Sequence, residues 1–363
     1  MRKIIFFAFF LLIVAIAGIY QIQNSKVDTD VTAKTTKVGV LINGIRFDHS
    51  YCQAHYEAIE AIRDELNLDV IYLENVAMNC YGDIVKLIRD KGCKIIIGIS
   101  YELGMDMMKA AEDYPDIYFL HASGVKYRNN LSSFFGRMYQ ARYLSGIAAG
   151  MNTKTGELGY VAAFPISEVI RGINAFTLGV RSVRPDAVVY VRYCKSWQDD
   201  APAGEACLKL LDLHSIDVVA MHTNSLQPHK EADARGIWSV GYNFDNSALF
   251  PNTYLTACIW KWDVYYRKAI LNCLQGKFRG SHDLIDMNEG IVALSGLSGH
   301  ADPQTKSKVQ AAHEKLQTLE SDVFYGPVKD NTGVIRIKEG ESMPDDEMFN
   351  HFYWYVEGVK VEE

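Results

Sequence analysis

The run Val38-Gly39-Val40-Leu41-Ile42, halted by Asn43-Gly44, is the feature that most narrows the folds open to this chain. An unbroken apolar stretch of this kind suits a strand covered on both faces, the situation of a parallel sheet flanked by helices. A polar loop follows, and Asp48 or Ser50 can cap a helix beginning near Tyr51. That helix N-terminus aims backbone N–H groups past the end of the strand, where open parallel sheets bind their ligands. Tyr51, on the first turn, offers a flat aromatic face to the same place.

The unit recurs. Strands are expected over 68–74, 94–99 and 118–122, with helices over 82–91 and 104–113 between them. Residues 125–137 read as irregular, and a second series then begins. It has helices over 139–151, 168–183, about 204–213 and from 227, and strands over 158–164, 188–193, 218–222 and 238–242. Strand 254–260, helix 263–274, a stretch over 282–294 that alternates like antiparallel strands, and helix 302–316 follow. Strand-like pieces end the chain. With 363 residues the chain is too long for one core. The fold class expected is α/β, with two doubly wound lobes joined by a multi-strand hinge and a cleft between them. The division expected is 1–35 as signal or anchor and tether, 36–134 plus 256–280 as lobe 1, and 135–255 plus 281–363 as lobe 2.

Several functions are excluded. A formal net charge of −7 offers no basic stripe for nucleic acid. No nucleophile elbow, zincin helix, P-loop, dinucleotide glycine signature or calcium loop is present, so no catalytic residue and no cofactor is expected. The seven cysteines lack CxxC spacing, which leaves zinc and thioredoxin chemistry without support; buried thiols are the plainer reading. His49 and His55, six apart, do not share a helical face, and no metal site is expected. Arg2-Lys3 ahead of the apolar run Ile4 to Ala17, with Ala15-Ile16-Ala17 before Gly18, reads as an export signal. It is either cleaved or kept as a short membrane anchor, and residues 18–35 form a polar tether.

Polar or aromatic residues recur just after the expected strands, facing the gap between lobes. They are Asn43, Tyr51, Cys52 and Ser123 in the first lobe, and Trp197, Asn224, Asn243, Asp245 and Trp260 in the second. Flat rings with amide and carboxylate partners suit a planar heterocycle, whose faces stack and whose edge nitrogens pair with Asn or Asp. A phosphate would want Arg, Lys or a glycine nest instead. Glu168 and Arg171, three apart at a helix start, form an ion pair on a solvated face, or else Arg171 reaches a ligand or the opposite lobe. Two other readings remain open. One is a cleft enzyme acting on nucleosides, with Asp48 or Asp245 as its acid; the other is a membrane-anchored sensor.

The segments Asp48-His-Ser-Tyr51-Cys-Gln-Ala-His55, His121-Ala-Ser-Gly124, Arg142-Tyr-Leu-Ser-Gly146-Ile-Ala-Ala-Gly150, Glu168-Val-Ile-Arg171-Gly-Ile-Asn174-Ala-Phe176 and Gly241-Tyr-Asn-Phe-Asp245 carry a resemblance. With Leu255-Thr256 and Trp354 to Gly358, the chain from Val38 to about Tyr355 resembles the basic membrane protein, or purine nucleoside receptor-like, family of solute-binding proteins of ABC transporters. The resemblance implies a monomeric, exported type I binding protein that closes on a purine base or nucleoside and partners an ABC permease. In nucleoside-binding members an aromatic residue stacks on the base where Tyr51 stands, and Asn follows it; here Cys52 follows. Acids stand there at the positions of Asn43, Ser123 and Asn243, with a Lys near Trp260. Loss of those ribose-gripping groups leans toward a bare base such as adenine.

Overall fold

The computed structural model describes residues 34–318 and 322–363; the export signal and most of the tether expected from the sequence lie outside them. The first series runs β1 (Thr36–Leu41), α1 (Tyr51–Arg63), β2 (Leu68–Leu73), α2 (Tyr81–Arg89), β3 (Ile95–Gly98), α3 (Gly104–Asp113), β4 (Tyr118–Ala122) and β5 (Leu131–Gly136). The second runs α4 (Met138–Asn152), β6 (Glu157–Ala162), α5 (Ser167–Val183), β7 (Val188–Tyr193), α6 (Asp200–Leu213), β8 (Val218–His222), α7 (Gln227–Ala234), β9 (Trp238–Asn243) and β10 (Tyr254–Trp260). After these come α8 (Trp262–Leu274), β11 (His282–Ile285), β12 (Val292–Leu294) and α9 (Thr305–Gln317). The tail adds a small hairpin, β13 (Val328–Lys329) and β14 (Ile335–Ile337), then α10 (Asp345–Asn350) and β15 (Val359–Glu362).

Two separate large sheets result. One is six-stranded in the order β2-β1-β3-β4-β5-β11, parallel throughout. The other is seven-stranded in the order β15-β7-β6-β8-β9-β10-β12, with only β12 antiparallel. The chain is therefore α/β with two doubly wound lobes. The run Val38–Ile42, within and just past β1, shows why it carries no polar side chain. Val38, Val40 and Ile42 join the cluster that includes Ile59 and Ile62 of α1, while Leu41 joins Ile84, Leu87, Ile96 and Met107 on the opposite face. Each aliphatic side chain so buried contributes about 1.5–3 kcal/mol over exposure.

Two sequence expectations fail for a shared reason, partners far away in the chain. Residues 131–136, read as irregular, form β5, wholly buried beside β4. Ser132 and Ser133 break its apolar pattern, yet they serve the neighbouring β11. The Ser133 hydroxyl lies 2.9 Å from His282 Nδ1, and Ser132 Oγ accepts the Ser281 N–H at 3.1 Å. Of the stretch 282–294, read as antiparallel, β12 meets that expectation and β11 does not. β11 lies parallel to β5 in the first sheet, and β12 antiparallel to β10 in the second. Between them the Asp286 carboxylate caps a single turn by accepting the N–H groups of Asn288 and Glu289, and Gly290 leaves it with φ +87°.

The chain thus crosses between sheets three times, after Gly136, after Trp260 and between Ile285 and Val292. The division at 255/256 and 280/281 expected from the sequence is corrected accordingly. β10 pairs with β9 in lobe 2, and β11 with β5 in lobe 1. The second crossing is lined by rings. Trp260 stacks on Trp262 at 4.2 Å between centroids, and Trp262 on His55 of α1 at 4.4 Å.

Lobe 2 is built on α4 and α5 at backbone distance. A Cβ on Gly146 would come within 2.1 Å of the Phe176 carbonyl oxygen, and one on Gly179 within 2.0 Å of that of Tyr143. The tail then wraps this lobe. The Asn174 side-chain amide donates to the Trp354 carbonyl at 2.8 Å and accepts the Val356 N–H at 3.0 Å, and β15 extends the sheet beside β7. All seven cysteines are buried thiols. No helix among the described residues is long and apolar enough to cross a membrane.

Candidate functional site

The carboxyl ends of the two sheets face one another, and the loops leaving β1, β8 and β9 meet across the space between them. Asp48, not Ser50, caps α1. Its carboxylate accepts the N–H groups of Ser50 and Gln53 at 2.9 Å each and of Cys52 at 3.0 Å. Those amides are therefore occupied by the chain itself, and Asp48 is committed to them. Ser50 turns to the other lobe. Its hydroxyl accepts from Asn243 Nδ2 at 2.9 Å and lies 3.4 Å from Asn224 Oδ1. Asn246 Nδ2 likewise donates to the His49 carbonyl at 2.9 Å.

On the lobe 1 wall, the Tyr51 hydroxyl lies 2.9 Å from that of Ser123, a residue held at φ +61° just past β4. Asn43 Nδ2 donates to Glu102 Oε1 at 3.3 Å, and the Ser100 hydroxyl donates to the other Glu102 oxygen. Cys52 is buried, its sulfur 3.8 Å from Asn43 Oδ1. Burial, then the charge of Asp48, pushes this thiol well above its ordinary range, so it stays protonated and inert. Tyr51, Asn43, Cys52 and Ser123 are thus brought together.

On the lobe 2 wall, Asn243 ends β9 at φ +69° and is almost wholly buried. Its Nδ2 also donates to Asn224 Oδ1 at 2.9 Å, and its Oδ1 accepts the indole N–H of Trp260 at 2.8 Å. Trp197 holds the Asn224 loop through its carbonyl, which accepts the Asn224 N–H at 2.7 Å, while its ring sits 6.0 Å from Phe164 and 6.1 Å from His222. Two expected residues stand differently. Trp260 is only 5 % exposed, stacked on Trp262 and 5.0 Å from Phe135, so it orients Asn243 from behind instead of presenting a flat face to the gap. Asp245 is exposed, its carboxylate accepting the Ser247 N–H at 2.9 Å.

Sequence reasoning missed the centre of the lobe 2 floor. Glu168, on the first turn of α5, has Oε1 3.4 Å from the Tyr242 hydroxyl that donates to it and 3.7 Å from His222 Nε2. Behind them Arg142 is fully buried, 4.0 Å from the Tyr242 ring, with one guanidinium nitrogen donating to the Met221 carbonyl at 2.8 Å. The expected Glu168–Arg171 ion pair does not form. Arg171 is buried and donates to the Met348 carbonyl at 2.9 Å, over the Phe349 ring. Burial pushes the Glu168 carboxyl up, but the His222 contact and the guanidiniums of Arg171 and Arg142 outweigh it and hold it below its usual range. Burial and the Arg142 charge push His222 down to about 4, against the pull of Glu168, so its imidazole is neutral. The available signal was position. Glu168, His222 and Tyr242 all stand at or just past the ends of expected strands. Among the described residues no group of three or more His, Cys, Asp or Glu side chains is arranged to hold a metal ion.

Comparison with known proteins agrees with this architecture. Residues 35–323 match the family described as ABC transporter substrate-binding protein, PnrA-like. A purine-binding protein of Brucella abortus is 32 % identical over 328 residues, covering 89 % of this chain and 92 % of that one. A Haloferax volcanii protein, provisionally named as an ABC transporter glucose-binding protein, is 33 % identical over 316 residues, covering 87 % of this chain and 78 % of that one. Among solved structures, a solute-binding protein of an ABC transporter system from Conexibacter woesei superposes with a TM-score of 0.69. It is 17 % identical and spans 79 % of this chain and 98 % of its own, a likeness of fold. The family is one of solute-binding proteins, not enzymes, which sets aside the nucleoside-cleaving reading. The chain belongs to the PnrA-like family of ABC transporter substrate-binding proteins.

Proposed function

We propose that the cleft takes up a purine base or nucleoside, a bare base of the adenine kind favoured, and that the exported chain delivers it to an ABC permease. The observation that carries this reading is Tyr51. It is a partly exposed ring at the cleft edge, fixed by its hydroxyl to Ser123, with the half-buried amides of Asn43 and Asn224 at the same cleft. A ring held at both ends of its side chain loses little freedom on stacking, and amides supply both donors and acceptors to a heterocycle edge. The purine-binding name of the Brucella relative supports the same ligand class. Binding to both walls stabilises the closed form by differential affinity, and no covalent step is required. Tyr51→Ala should weaken adenine binding at least tenfold in titration calorimetry with no change in the far-ultraviolet dichroism. Equal affinity in variant and wild type would remove Tyr51 from the site. The glucose name of the Haloferax relative marks the competing ligand class, and glucose in the same calorimeter should give no heat.

A further inference from the structure

The floor of lobe 2 holds one carboxylate among rings. The Glu168 side chain keeps 33 % of its surface open, whereas its neighbours His222, Tyr242 and Arg142 are buried. A guanidinium shut away from water is costly unless an anion lies near it. Arg142 has one carbonyl partner, and its Nε and Nη2 have no hydrogen-bond partner among the described residues; neither has His222 Nε2. Glu168 is the anion whose charge reaches both Arg142 and Arg171. The cations that hold Glu168 ionised therefore stand behind the floor. Beside it are a phenol at 3.4 Å and a neutral imidazole at 3.7 Å, both on the same oxygen, which leave the carboxylate's demand for donors unmet.

Glu168 also stands near the opposite wall: the Tyr242 phenol that donates to it precedes Asn243, whose Nδ2 donates at 2.9 Å to Ser50, the residue before Tyr51. Burial raises the Tyr51 phenol, and the Glu168 charge acting across the gap adds to that rise. Tyr51 and this carboxylate therefore border the same space.

We propose that Glu168 determines ligand specificity by accepting an N–H from the edge of the heterocycle whose face Tyr51 covers. This rests on the purine reading and names the edge that reading leaves open. An ionised carboxylate only accepts hydrogen bonds. A ligand edge without an N–H therefore leaves it unpaired as the lobes close, the kind of loss that discriminates most sharply between near-identical ligands. Purine bases carry N–H groups on the rings and, in adenine, on the exocyclic amine. Replacing one such hydrogen by methyl is the smallest change that removes the donor.

The test uses calorimetry at pH 7.5 with adenine, 7-methyladenine, 9-methyladenine and N6,N6-dimethyladenine. Wild-type protein should bind adenine and lose tenfold or more with at least one methylated form. Glu168→Gln, which keeps the shape and drops the charge, should bind adenine tenfold or more weakly at a temperature where it is still fully folded; its melting temperature should fall, because Arg142 loses its anion. In Glu168→Ala the methylation penalty should shrink to about twofold. Adenine affinity unchanged in Glu168→Gln, or the same methylation penalties in wild type and Glu168→Ala, would overturn the inference and leave the purine reading intact. No heat with adenine or guanine in the wild type would overturn both.

Discussion

The two walls of the cleft are made differently. The lobe 1 wall is a set of side chains tied to one another at the surface: Tyr51 to Ser123, and Asn43 to Glu102. The segments behind it that follow β1, β2, β3 and β4, the start of α3 included, expose Phe47, Met78, Tyr101, Met105 and Tyr127. The lobe 2 wall is continuous with its core. His222, Tyr242 and Asn243 are buried, and a guanidinium with no exposure lies beneath them. One wall offers faces that can be exchanged at small cost. The other offers fixed charge that cannot be removed without disturbing the lobe.

That contrast can be broken most directly at Arg142. Arg142→Ala should lose about 3–5 kcal/mol of stability in urea unfolding, since it opens a cavity and strips the charge that organises Glu168 and Tyr242. A loss below about 1 kcal/mol would mean that lobe 2 does not depend on its buried cation. The next effect is set by acid. Because folding depresses the His222 pKa to about 4, the unfolded chain binds the extra proton first. Its contribution is therefore complete above about pH 6.5 and is lost as pH falls toward 4, on the order of 3 kcal/mol. His55, His121 and His229 shift the same way, so the share of His222 is read by difference. His222→Gln should show a shallower fall in unfolding midpoint between pH 7 and pH 4.5, and parallel slopes would contradict the buried, neutral imidazole. The smallest effect belongs to the other wall. Tyr51→Phe removes only the hydroxyl contact to Ser123 and should cost about 1 kcal/mol by thermal unfolding. A cost above about 2 kcal/mol would make the lobe 1 wall as integral as the lobe 2 wall.

Much of the scaffold was legible because strands covered on both faces leave an unmistakable run, as at Val38–Ile42 and Ile95–Ile97. What escaped were segments whose partners lie far along the chain. Ser132 and Ser133 look like loop residues until Ser281 and His282 return to meet them. The stretch holding β11 and β12 alternates like antiparallel strands, but the two join different sheets and only β12 runs antiparallel. The placing of Tyr51, Ser123, Asn224 and Asn243 at the strand ends was legible because a polar residue past a buried strand has few other places to go. Trp260 could not be judged that way, since nothing local shows that Trp262 and Phe135 cover it. Glu168 was misjudged because its three-residue spacing from Arg171 suggested a surface pair, while Arg171 turns inward to a carbonyl nearly two hundred residues away.

The tryptophan pair at the second crossing carries one further consequence. Trp260 ends β10 of one lobe and Trp262 opens α8, which packs on α1 of the other, with their ring planes 15° apart. Two indoles so close are coupled chromophores, and the sign and size of their near-ultraviolet dichroism depend on the angle between them. Any rotation of the lobes that passes through this joint turns that angle, so the unlabelled protein carries an optical protractor for its own movement.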